Sequence, residues 1–171
     1  MNGRAISLSL FILCGAIPAH SATDDSVLIG PWKIEASFTN AQKKFDRCMM
    51  SRTVENGVVA TFARDTAGTT LTMTSERWKL DDGKNYPVEY VAGKTIWKAD
   101  VTATPDTVRV VLTDDRFNKA LRNANRVEVR GAGATIKIPL EKSAAALARL
   151  ESCYDNNRNA SETNPFETPK P

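Results

Sequence analysis

The chain has 171 residues, with 23 basic and 20 acidic side chains and one histidine. Apolar residues make up 42 % and charged residues 25 %, which is ordinary globular usage for about one domain. Wholesale disorder, a collagen-like repeat and a multi-span membrane protein are excluded on these grounds.

Arg4 supplies a positive start, residues 6–17 an apolar run and Pro18 a break. Ala19-His20-Ser21 then offers small residues for cleavage after Ser21, or after Ala22 as the alternative. This is the layout of a secretory signal peptide over residues 1–22. The other readings are a retained anchor and a lipid-modified Cys14. The run is short for a membrane-spanning helix, which takes about 20 apolar residues, and Leu13 is too large for a lipid-modification signal. No stable membrane span is expected after cleavage.

The mature chain loses Arg4, so 22 basic residues face 20 acidic ones, a net charge of +2. His20 goes with the leader or stays at a ragged end, so the mature protein has effectively no imidazole. That removes a Ser-His-Asp or Cys-His nucleophile, catalytic zinc on His ligands, a non-haem iron facial triad and His-ligated haem. Cys48 and Cys153 are the two remaining cysteines, too few for a structural zinc or iron–sulfur centre in one chain. No metal and no cofactor is expected.

Export implies an oxidising compartment in which thiols pair. The two cysteines permit one intramolecular bridge, Cys48–Cys153, closing a loop of about 105 residues that the chain-entropy model values at roughly 4–5 kcal/mol. A redox-active pair is the alternative, but such pairs usually sit close in sequence, as in C-x-x-C.

Residues 23–30 read as a flexible start. Residues 31–37 alternate Trp32, Ile34 and Ala36 as a first strand, and residues 45–53 form a second, carrying Cys48. Asn56-Gly57 is a hairpin signal. Strands follow at residues 57–65 and 69–75, and residues 77–80 extend the latter with Trp78 and Leu80 inward. Asp81-Asp82-Gly83 turns the chain. Residues 86–92 are a strand whose Pro87 argues for an edge position or for the first residue of the paired stretch. Residues 94–100 place Ile96 and Trp97 on opposite faces, so one of them lies near the surface, and residues 107–113 set Val108, Val110 and Leu112 on one side. The period then changes: Phe117, Ala120, Leu121 and Ala124 share a helical face over residues 114–124, with Asp114 as its cap. Val127 and Val129 resume a strand, Gly131-Ala132-Gly133 turns, residues 135–140 form another strand, and Ser143 caps a last helix over residues 144–153. The polar, proline-bearing residues 155–171 read as a disordered tail, with a chance glycosylation sequon at Asn159-Ala160-Ser161.

These elements predict one mainly β domain over residues 23–154. Its architecture is an antiparallel β-sandwich or barrel of about seven to nine strands, with one short internal helix and a C-terminal helix.

Three groups of residues are candidates for chemistry or binding. Trp32, Trp78 and Trp97, with Tyr86 and Tyr90, supply the large rigid contact area of a binding surface. Core packing explains Trp32 and Trp78 better, so Trp97 is the aromatic binding candidate. Residues 109–149 hold nine basic and four acidic side chains, a local excess of five. On the first helix Arg116, Lys119 and Arg122 lie away from the apolar stripe, a patch for an anionic envelope component or an acidic protein. A solvated helix face is the plainer reading. Nucleic acid is not expected as a partner, since export removes the chain from it. The carboxylate pairs Asp81-Asp82 and Asp114-Asp115 are candidates for glycoside hydrolysis without histidine, but both sit at turn or cap signals. No S-x-x-K occurs, and nothing like G-K-[ST] follows the glycine turn.

Several features together resemble the invasion-associated locus B type of small exported proteins: the leader, Gly30-x-Trp32 opening the domain, the Cys48-Met49-Met50 strand, and the closing strand and helix TIKIPLEKSAAALARLESC. The resemblance covers residues 30–153 in layout. It departs from that family at Ile34, Glu35 and Ala36, where a cysteine usually follows the opening Trp, and the family's further cysteines are missing. It implies a periplasmic, mainly β, non-enzymatic accessory protein of a Gram-negative cell envelope, and assigns no catalytic residue. The function expected is therefore an exported, periplasmic or secreted binding or accessory protein, of a kind associated with host interaction or virulence. A carboxylate hydrolase, or a protein inhibitor presenting the turn at residues 81–86, is the alternative.

Overall fold

The computed structural model describes residues 26–39 and 44–162; residues 1–25, which include the expected leader, and residues 40–43 and 163–171 lie outside them. Ten strands form one antiparallel sheet: β1 (Val27–Ile29), β2 (Trp32–Phe38), β3 (Phe45–Thr53), β4 (Val59–Asp65), β5 (Gly68–Thr74), β6 (Asn85–Ala92), β7 (Thr95–Thr104), β8 (Thr107–Val111), β9 (Arg126–Arg130) and β10 (Thr135–Pro139). Helix α1 (Asp115–Asn123) joins β8 to β9, and α2 (Ser143–Glu162) follows β10. The spatial order is β1-β2-β3-β4-β5-β8-β7-β6-β9-β10.

The sheet does not close into a barrel, but it curls so that its two ends face each other. The Trp32 indole N–H donates to the Glu141 carbonyl at 2.9 Å, and Arg52 Nη1 donates to the Pro139 carbonyl at 2.8 Å. Both bonds tie the β2–β3 end to the end of β10. The inward residues of the alternating strands make one core, with Trp32, Ile34, Met50, Phe62, Tyr90 and Val127 among its fully or nearly fully buried members. Helix α2 lies across β2, β3 and β4, α1 lies on β6 and β7, and the helices touch each other. Cys48 of β3 and Cys153 of α2 are joined, with Cα atoms 6.1 Å apart, so the bridge fastens the helix to the sheet it covers.

Four elements differ from the sequence expectation, each for a local reason. Val27–Ile29 is an edge strand, not a flexible start. It is too short to show a period, and it exists because Gly30 takes the left-handed conformation at φ 57 and folds it back on β2. A Cβ on Gly30 would meet Lys142 Cγ at 3.0 Å, so glycine is required there on both counts. The reversal at Asn56-Gly57 is a 3-10 turn over Glu55–Gly57, not a two-residue hairpin, with both residues at positive φ. Residues 77–80 do not extend β5. Ser75 N–H bonds to the Asp106 carbonyl at 2.9 Å and Leu80 N–H to the Pro105 carbonyl at 2.9 Å, which leads the chain over the β7–β8 turn instead. Helix α2 runs to Glu162, so the first eight residues of the expected disordered tail are helical. Tyr154 anchors this continuation, 5.8 Å from Phe45, with the Arg64 and Arg158 guanidiniums 5.3 and 5.7 Å from its ring.

Pro87 keeps its edge character inside a central strand. β6 lies between β7 and β9, but β9 pairs only with Glu89 to Ala92, leaving Pro87 on an uncovered stretch where the missing N–H costs no ladder bond.

Candidate functional site

The two helices leave part of the inner sheet face without a helix, and a groove of about 420 Å³ opens there. Its floor follows from strand alternation: Met73 of β5 stands opposite Val108 of β8, Tyr86 of β6 opposite Val101 of β7, and Val129 of β9 opposite Ile136 of β10. One wall is the loop after β5, which turns Trp78 and Leu80 toward the floor; the opposite lip is the turn Gly131 to Ala134. The wall is held at both ends. Besides the bonds at Ser75 and Leu80, Gly83 N–H reaches the Ala103 carbonyl at 2.8 Å and Ala103 N–H the Lys84 carbonyl at 2.9 Å. The groove is thus built in advance of any occupant, with the volume and apolar lining of a small-molecule site. No Asp or Glu lines it.

Polar groups gather at its mouth. The Tyr86 hydroxyl oxygen accepts from Asp81 N–H at 3.4 Å, and the Lys84 ammonium lies 5.2 Å from the Tyr86 ring. Lys84 Nζ and Asp81 Oδ2 pair at 2.9 Å. The hydrogen bond from Lys84 holds the Asp81 carboxyl below the usual range, and the same bond raises the Lys84 ammonium above its own.

The residues singled out in the sequence lie elsewhere and are not brought together. Arg116, Lys119 and Arg122 are exposed on α1. Arg122 Nη2 is 3.8 Å from Glu151 of α2, a carboxylate shared with Arg64 at 3.5 Å. Trp97 lies on the other side of the helix, its ring 5.3 Å from Phe117, the buried face of α1, and 5.1 Å from Tyr90. Ile96 is the exposed member of that pair, at 58 %. The basic excess is partly neutralised in place: Arg126 and Arg130 close on Glu128 at 2.9 and 2.7 Å, and these bonds, Arg130's first, hold the Glu128 carboxyl below its usual range. Asp114 accepts from Phe117 N–H at 2.7 Å as the α1 cap, while Asp81 and Asp82 sit in the turn at the groove mouth. The two carboxylate pairs therefore flank opposite ends of β8.

No protein-family model matches the chain, and neither does any curated protein sequence. A solved structure does. The chain shares the fold of invasion associated protein B from Bartonella henselae. The match covers 75 % of this chain and 95 % of that one, with 18 % identity and a TM-score of 0.56. At that identity the likeness is one of fold, and it agrees with the layout-level resemblance carried by residues 30–153.

Within this fold shared with the Bartonella protein, the groove residues escaped the sequence reading for a clear reason. Val88, Val101, Val108, Val129 and Ile136 alternate like any inward strand residues, and nothing in alternation distinguishes a covered floor from an open one. Trp78 read as core and is half-buried in the wall. Tyr90, by contrast, is fully enclosed, and its hydroxyl has no hydrogen-bond partner among the described residues; burial drives its phenol far above the usual range. Removing that stranded hydroxyl with Tyr90→Phe is expected to leave stability unchanged or raise it by up to about 1 kcal/mol, read as the urea midpoint.

Proposed function

We propose that this chain is an exported, non-enzymatic binding protein of the bacterial cell envelope and that the groove under Trp78 and Leu80 is its binding site. The preformed apolar groove carries this reading. Export is supported by the secretory layout of residues 1–22 and by the Cys48–Cys153 bridge, which belongs in an oxidising compartment. The likeness to a Bartonella protein named for its association with invasion supports an accessory role in host contact. The outer face of α1 offers a second surface for an anionic or acidic partner, since Arg116 and Lys119 have no ion-pair partner among the described residues.

A carboxylate hydrolase fits less well. Asp114 is committed to capping α1, Asp81 is kept ionised by Lys84 and so is a poor general acid, and no carboxylate reaches the groove. An inhibitor reading would present residues 81–86 as one rigid loop, held to β7 through Gly83 and Lys84, and would leave the apolar groove without a use.

Incubating oxidised mature protein from Ala22 onward with a cell-envelope extract, followed by native mass spectrometry, tests the proposal. The expected result is a saturable bound species, recovered unaltered and lost in Leu80→Asp. Reversing the charges at Arg116, Lys119 and Arg122 should leave that occupancy in place. Conversion of the bound species to product, silenced by Asp81→Asn, would favour the hydrolase.

A further inference from the structure

We infer that the groove takes the single linear alkyl chain of a free fatty acid, with its carboxylate at the mouth beside Trp78 and Tyr86. The inference rests on the groove being the binding site and goes on to name the ligand's chemistry.

Three observations carry it. Apart from Tyr86, whose hydroxyl lies at the mouth, the floor is made of Met73, Val101, Val108, Val129 and Ile136, which present no hydrogen-bonding side-chain group beyond a thioether. A ligand lying on it needs an uninterrupted apolar stretch, because any buried polar atom would go unpaired. The volume is about 420 Å³; at roughly 30 Å³ for a group the size of a water or a methylene, it matches one chain of about ten to fourteen carbons. The mouth offers donors. The Trp78 indole N–H has no acceptor among the described residues, and the Tyr86 hydroxyl accepts from Asp81 and keeps its own proton to donate. Arg77 and Lys79, exposed on either side of Trp78, have no ion-pair partner among the described residues. Arg77 and Lys79 lie outside the lining, as Glu76 and Asp82 do, and Asp81 is paired with Lys84, so the loop's charges balance and the two donors decide the headgroup. An acceptor headgroup such as a carboxylate complements those donors, and an ammonium, which only donates, does not.

The test is a titration of the oxidised mature chain, followed by calorimetry and tryptophan fluorescence, with alkanoates of about six to about sixteen carbons below their micellar concentrations. Affinity should rise about fourfold per added methylene until the groove is full near twelve carbons, then level off. Dodecanoate should bind about tenfold or more tightly than dodecylammonium. Leu80→Asp, or filling the groove with Ala134→Trp, should abolish binding, while Leu28→Asp, at a residue 73 % exposed on β1, should not. Affinity independent of chain length, equal binding of the ammonium, or full binding by both groove variants would overturn the inference. Capture on phosphatidylglycerol vesicles without binding of alkanoates would also overturn it, in favour of a membrane surface.

An anilinonaphthalene sulfonate dye separates the two levels. Dye bound by the wild type and not by the groove variants, with no alkanoate bound, leaves the groove reading standing and removes the fatty acid. If neither binds, both fall.

Discussion

Replacing Cys48 and Cys153 together with alanine is expected to lower the free energy of unfolding by about 4 kcal/mol. The bridge joins residues 105 positions apart, so its removal releases a long loop in the unfolded chain, and that entropy is the main part of the effect. A smaller part is local. Cys48 is fully buried beneath α2, and alanine leaves a small void between helix and sheet. Alanine is the better replacement because serine would bury a hydroxyl in the same place. In urea the midpoint should fall, and the slope should increase because the unfolded chain without its cross-link exposes more surface. Dithiothreitol added to the wild type should reproduce both changes. An unchanged midpoint would mean that Leu150, Tyr154 and their neighbours hold α2 on the sheet without covalent help.

Trp32→Ala should cost a similar amount, about 4 kcal/mol, by a different route. Trp32 is fully buried, meets Phe62 edge-on at 5.9 Å and lies under the Arg52 guanidinium at 5.3 Å. Its indole N–H donates to the Glu141 carbonyl, so the truncation opens a cavity and strands a carbonyl together. Because that bond links β2 to the segment between β10 and α2, the loss falls where the curled sheet meets its own end. Trp32→Phe separates the contributions. It keeps most of the packing and loses the donor, so about 1–2 kcal/mol should go. For a domain of this size the alanine variant should melt about 8–16 °C lower. If the phenylalanine variant were as damaged as the alanine one, the hydrogen bond and not the packing would be what holds the sheet curled.

Much of this architecture is legible in residue order. Alternation located nine of the ten strands because each has one face turned to a core. The shift to a helical period at Phe117, Ala120 and Leu121, with Asp114 before it, located α1. The two mature cysteines admitted one pairing, and it is the one observed. Such features depend on neighbours a few residues apart, or on elimination. The edge strand β1 and the last turns of α2 were not legible, because their stability comes from distant partners: Lys142 beside Gly30, and Phe45 and Arg64 around Tyr154. Residues 155–162, judged by composition, lack the apolar stripe that the packed helix does not need there.

The sequence by itself determined the mainly β class and the Cys48–Cys153 pairing, and from it came the expectations of a secretory leader over residues 1–22 and of no histidine chemistry. The tertiary structure alone decided which inward faces a helix covers. Val88, Val101 and Val129 obey the same alternation as Ile34 and Met50, yet α2 lies over β2 to β4 and no helix residue lines the face that those valines help to form. It also divided the aromatic and basic candidates, placing Trp97 beneath α1 and Arg116 and Lys119 outside it. Periodicity reports that a side chain points inward; whether it meets a helix, a loop or open space depends on where segments remote in sequence come to rest.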